Sequence, residues 1–198
     1  MKKHAKLIGA IVALLCVGIA AMLVNNLLNI NLNKITQQKG YTITNQNEKA
    51  IKVTINKKKL PINIDFAQGV SFAKDDIILY QTDTSTMYLK SIEYANSDTE
   101  FLSLTFDFDY VLPEEAKIIV PYNVLIKDNK ISYSWGVAPY SKQVKDISKV
   151  FDNAISLHGT GPSEQFSIYL KANVFSEAKD EISFIIGGFN ELSYIRKL

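Results

Sequence analysis

The chain has 198 residues, 47% of them hydrophobic, and carries 22 basic and 20 acidic side chains for a formal net charge of +2. Setting aside Lys2, Lys3 and Lys6 reduces the 22 basic residues to 19 against 20 acidic ones, so the basic excess or stripe that marks nucleic-acid binding is absent. Two histidines, His4 and His158, and a single cysteine, Cys16, exclude a His-rich or cysteine-based zinc site, and no metal or cofactor is implied.

The first element is apolar. Lys2, Lys3 and Lys6 form a positive n-region over residues 1–6, and no charge follows from Leu7 through Asn33. A helix in a globular core would show a polar face, whereas Leu7 to Leu28 is interrupted only by Asn25 and Asn26. The run therefore reads as a signal-anchor helix or a signal peptide. Leu15 precedes Cys16 where a lipobox needs a small residue, so Cys16 reads as an apolar residue of the helix. Cleavage after Ala20, with Gly18 and Ala20 as the small residues, is the alternative to retention. In both cases the lysines stay in the cytoplasm and the C-terminal part crosses the membrane.

Residues 29–44, rich in Asn and Gln, read as a stalk, and 45–198 as one extracytoplasmic domain. From Tyr41 onward the pattern is that of strands. In "FLSLTFDFDY" Leu102, Leu104, Phe106, Phe108 and Tyr110 fall on one face, and Ser103, Thr105, Asp107 and Asp109 on the other. Such alternation predicts a half-buried antiparallel strand. "QFSIYLKANV" repeats the pattern from Phe166 to Val174, and "AIKVTIN" does so through Ile51, Val53 and Ile55.

Further strands are expected at 62–66, 77–81, 87–94 and 118–120. A hairpin is expected to turn at Lys127-Asp128-Asn129-Lys130, and two short strands to flank Gly187-Gly188. One segment follows a different period: Val144, Ile147, Phe151 and Ile155, with Ser141 as N-cap, predict a three-turn helix. The fold class read from this order is all-β: an antiparallel β-sandwich with one short helix, preceded by a transmembrane or signal helix.

With its leader, stalk, "LSLTFDFDY" strand and the turns at 159–163 and 176–181 around "EQFSIYLKANVFSEAKDEISFII", the chain resembles the Ig-like sandwich domains of exported Gram-positive proteins and lipoproteins. The resemblance covers about residues 49–198. It implies an Ig-like fold, and it carries no functional residue across. The missing lipobox departs from the lipoprotein members.

Three places offer chemistry. Lys57, Lys58 and Lys59 in "NKKKLP" could touch an anionic lipid or wall polymer, or simply guard a strand edge. In the loop 132–140, Trp135 and Tyr140 could stack on a sugar or grip a peptide, or else pack inward. A Ser-His-Asp triad would have to use His158 as its base, and "HGTGPS" puts Ser163 close by, but the G-x-S-x-G elbow is lacking and a plain turn reads better. Asp107 and Asp109 read as a solvated face, not a calcium site.

The expected function is a non-enzymatic, membrane-tethered interaction or accessory module of the cell envelope, anchored by Leu7 to Leu28 and engaging an envelope protein. A wall-glycan or peptide-binding module is the alternative, and a hydrolase the remote one.

Overall fold

The structure is a computed structural model that describes residues 30–95, 98–128, 130–140, 151–157 and 164–197, with backbone alone for 98, 135, 140 and 151–157. The strands are β1 (Tyr41–Asn56), β2 (Val70–Ser71), β3 (Ile78–Gln81), β4 (Ser85–Ala95), β5 (Asp98–Tyr110) and β6 (Glu115–Val120). They continue with β7 (Tyr122–Lys127), β8 (Lys130–Trp135), β9 (Ala138–Tyr140), β10 (Phe151–Leu157), β11 (Phe166–Lys171) and β12 (Glu181–Arg196). Two short helices, α1 (Leu32–Thr36) and α2 (Ala172–Glu177), and a 3₁₀ turn at Lys57–Lys59 complete the described elements.

All ladders are antiparallel. One sheet runs β1-β12-β6 with β9 also on β12; a second runs β10-β11-β5-β4-β2 with β3 also on β4; β7 and β8 form a separate hairpin. The chain is all-β, as its alternation predicts. The inward face of β5 is the expected one: Leu102, Leu104, Phe106 and Phe108 are buried. Phe106 stacks on Phe166 of β11 at 5.1 Å, and Phe166 meets Phe189 of β12 edge-on at 5.7 Å. These rings join the two sheets into one core with Ile51, Val53 and Ile55 of β1. Burying a phenylalanine contributes about 1.5–3 kcal/mol, so this cluster holds the sheets together.

A second core lies on the other face of the smaller sheet. Ile118, Val120, Leu192, Tyr194 and Tyr41 are covered there by Leu32 and Ile35 of α1 and by Tyr122 and Val124 of β7. The segment expected to be a stalk is therefore folded. Asn31 caps α1, its Oδ1 accepting from Lys34 N at 2.9 Å, and Leu32 and Ile35, three residues apart, turn inward.

A bulge at Gly187-Gly188 sets which residues of β12 face each core. Lys49 pairs with Phe189 and Ile51 with Ile186, so Ala50 opposes both Gly187 and Gly188. The extra residue reverses the pleat. Before it, the even-numbered Ile182, Phe184 and Ile186 face the larger core; after it, Phe189 faces that core and the even-numbered Leu192 and Tyr194 face the smaller one. The expected pair of short strands around these glycines is thus one continuous strand.

Three other expectations are corrected. Residues 151–157 form β10, not the end of a helix, while 141–150 lie outside the described residues. The strand from Phe166 ends at Lys171, and Ala172 and Val174 belong to α2. Residues 62–66 form a loop instead of a strand. The hairpin stands as expected, with Lys127 opposite Lys130 and Asp128 at φ 50°. Among the described residues no helix is long and apolar enough to cross a membrane; Leu7 to Leu28, with Cys16 and Ala20, lies outside them.

Candidate functional site: a lysine-rimmed groove

The end of β1 and the start of β12 meet at Asn56 and Glu181, and an open groove of about 760 Å³ forms there. Asn56 shapes its first wall. Its Oδ1 accepts from Lys58 N at 2.9 Å and turns the chain into the 3₁₀ turn, which Leu60 N closes on Lys57 O at 3.1 Å. The second wall is the end of α2 and the turn that follows, with Phe175, Ser176, Lys179 and Asp180.

Lys57 locks these walls together. Its ammonium donates to the carbonyl oxygens of Phe175, Ser176 and Ala178 at 2.7, 3.4 and 2.6 Å and stands 5.2 Å from the Phe175 ring. A cation on the last carbonyls of a helix neutralises its negative end. Of the three lysines read as one cationic run, Lys57 is therefore structural. Lys58 pairs with Asp180 at 3.0 Å, both side chains being largely exposed, a contact worth about 1 kcal/mol or less. Lys59 and Lys179 are exposed and make no ion pair among the described residues.

The floor is apolar. Leu60 is buried, Ile64 and Phe66 pack on the core, and Phe66 meets Phe175 and Tyr94 edge-on at 5.5 and 5.7 Å. Asp65 holds the loop: its Oδ1 accepts from Ala67 N at 3.0 Å and its carbonyl from Gly69 N at 2.9 Å. Ile62, carried on this fixed loop after Pro61, is 99% exposed. A second depression of about 580 Å³ lies on the other side of Leu60 and Pro61, lined also by Lys59, Val70, Phe72 and Asp76. The arrangement suits an extended ligand with apolar groups for the floor and anionic groups for Lys59 and Lys179.

Trp135 and Tyr140 lie elsewhere. Trp135 pairs with Tyr122 at the end of β8, and Tyr140 pairs with Ile185 in β9. Their side chains are outside what the structure describes. The stretch 132–140 is no free loop: Gly136 and Val137 alone connect two ladder strands, and Val137 is buried. His158 and Ser163 lie outside the described residues.

Asp109 is exposed, as expected, whereas Asp107 is half-buried, and each is ion-paired. Lys90 Nζ meets Asp107 at 2.9 Å and donates to Gln165 Oε1 at 2.7 Å, while Lys74 meets Asp109 at 2.9 Å. Burial, then Asp107 and Asp109, push the neighbouring Glu164 carboxyl above its usual range. Among the described residues no cluster of three His, Cys, Asp or Glu side chains is arranged to hold a metal. The centre of this sheet face is closed to water: Ser103, Thr105 and Ser167 are buried, and the Thr105 and Ser167 hydroxyls lie 2.8 Å apart.

No family model, curated protein or solved structure matches the chain. The groove is therefore read from its own residues. Sequence reasoning reached Lys57–Lys59 but missed Ile62, Phe66, Phe175 and Lys179. The one available signal was "LPINIDF", where an apolar residue follows directly on the proline after three lysines.

Proposed function

We propose that this protein is a membrane-tethered, extracytoplasmic binding module of the cell envelope, non-enzymatic, held by Leu7 to Leu28, with the groove as its binding face. The carrying observation is the run of β1. The described chain begins at Ile30 and packs through α1 on the smaller core, whose Tyr41, Leu192 and Tyr194 lie at the end of the ladder away from Asn56. The sixteen residues of β1 from Tyr41 to the groove at Asn56 span roughly 50 Å. A tether before residue 30 therefore leaves the groove at the far end, facing away from the lipid toward an envelope protein. The finer likeness to Ig-like exported domains belongs to this proposal, supported by two antiparallel sheets around a shared core. The glycan reading of 132–140 is not preferred, because those residues are committed to ladders.

Site-directed photo-crosslinking in intact cells tests this. A photoreactive residue at Ile62 is expected to give a discrete protein adduct; one at Glu48, exposed on mid-β1, is expected to give none. Ile62→Glu should remove binding of that partner without moving the melting temperature, since the side chain packs on nothing. Equal adducts from both positions, or none from either, would reject the groove.

A further inference from the structure

We infer that the tip of the β7–β8 hairpin is a lipid-contact site, resting on an anionic bilayer surface at the end of the molecule where the chain enters. The inference builds on the tether proposed above. Two contacts fix the direction of the hairpin along β1. At its base, Gly136 packs against Gly188, level with Ala50. Farther out, Val124 N donates to Gln46 Oε1 at 3.2 Å, and Gln46 Nε2 donates to Asn123 Oδ1 at 3.3 Å. Moving from base to Val124 thus moves from Ala50 to Gln46, toward Tyr41. The three residues from Leu125 to Lys127 add about 10 Å in the same direction, which brings the tip level with the start of β1.

Chain entry lies at the same end. Ile30 packs on the smaller core, which lies against the Tyr41 half of β1 through Leu192 and Tyr194, opposite Gln46 and Ile43, and the apolar run ends only two residues earlier, at Leu28. On the proposed tether, a bilayer holding that run faces this end. The tip is built for such a surface. Leu125 and Ile126 are 47% and 52% exposed although they are neighbours on a strand, so both pleat faces carry an exposed apolar side chain just before the turn. Lys127 and Lys130 flank them, exposed and without an ion pair among the described residues, against the single carboxylate of Asp128. Apolar side chains between lysines match the interface of an anionic membrane, where chains dip past the headgroups and ammonium groups meet phosphates.

The test uses the full chain carrying Cys16→Ser, reconstituted into phosphatidylglycerol–phosphatidylcholine vesicles. Bimane is placed on Leu125→Cys or Ile126→Cys at the tip, or on Ile62→Cys in the groove, and brominated acyl chains serve as quencher. Flotation with the vesicles reports the tether separately. The expected result is flotation of all three proteins, a blue shift and loss of emission at both tip positions, and no change at Ile62. Replacing phosphatidylglycerol by phosphatidylcholine, or introducing Lys127→Gln with Lys130→Gln, should reduce the loss. Flotation without quenching at the tip would overturn the lipid contact and leave the tether standing. Failure to float would overturn both.

Discussion

Glu164 shows how a single side chain records its surroundings. It is half-buried beside Asp107 and Asp109, with Lys90 held on Asp107 and Lys74 on Asp109. Burial first, then the two carboxylates, raises its pKa above the ordinary 4.5. For a carboxyl whose folded value is raised, the stabilising contribution of the protonated form is complete below the unfolded pKa and lost as pH rises through the folded one. At neutral pH the ionised Glu164 therefore weakens the fold. Glu164→Gln is expected to raise the melting temperature at pH 7, with the gain shrinking as pH falls toward the ordinary carboxyl value of 4.5. Thermal denaturation of both proteins between pH 4 and 8 checks this. A gain that is constant across the range would assign the effect to packing instead of charge. Lys57 teaches a related lesson. Nothing in three consecutive lysines distinguishes the one bound to helix carbonyls from its neighbours, because its partners are backbone atoms 118 to 121 residues away.

At the scale of elements, the strands were legible where alternation was strict, as in β5, and where turn chemistry was strong, as at Lys127–Lys130. The helix expected to reach Ile155 failed for a simple reason. Phe151 and Ile155 are four residues apart, a spacing shared by one helical face and one strand face, and the partner that decides is β11, through Ile155 opposite Ile168. The end of β11 was missed because Ala172 and Val174 continue the alternation. The helix there buries Phe175 instead and is capped by Lys57 from β1's end. Both decisions are tertiary, so a single-sequence pattern does not contain them.

The Gly187-Gly188 bulge was visible as a pair of glycines, but its consequence, one strand facing two cores, was not. Gly188 and Gly40 both adopt positive φ, at 79° and 77°, yet their surroundings differ. A Cβ on Gly40 meets nothing within 4 Å, whereas one on Gly188 would overlap the Gly136 carbonyl and stand 2.7 Å from Val137 N. Gly40→Ala is expected to cost about 1–2 kcal/mol, the left-handed backbone penalty alone. Gly188→Ala must also push the β8–β9 connection off β12, and its denaturation midpoint should fall well below that of Gly40→Ala. Equal midpoints for the two variants in urea would show that the close approach of Gly136 contributes nothing.

For the molecule as a whole, the four-stranded sheet is sandwiched between two cores, and β12 passes through both. The smaller core escaped sequence reading because Ile30, Leu32 and Ile35 sit among asparagines directly after an apolar leader, where periodicity over a few residues is weak. Shared strands make a strong prediction about cooperativity. Phe106 is fully buried in the larger core and Ile35 fully buried in the smaller. Truncation to alanine should cost about 3–5 kcal/mol for Phe106 and about 2–5 kcal/mol for Ile35, through lost burial and an unfilled cavity. A domain without disulfides has a total stability of about 5–15 kcal/mol, so each change removes a large share. If the sheet couples the cores, both variants unfold in one transition at a lower midpoint, and circular dichroism of the strands coincides with tyrosine fluorescence, to which Tyr41, Tyr122 and Tyr194 of the smaller core contribute. A biphasic Ile35→Ala curve, with the tyrosine signal lost first, would mean that α1 and the hairpin form a separate layer that comes away while the sandwich remains. Coincident curves would mean that the segment leading from the proposed membrane tether is part of the load path through β12 to the groove, so that loosening either core loosens the other.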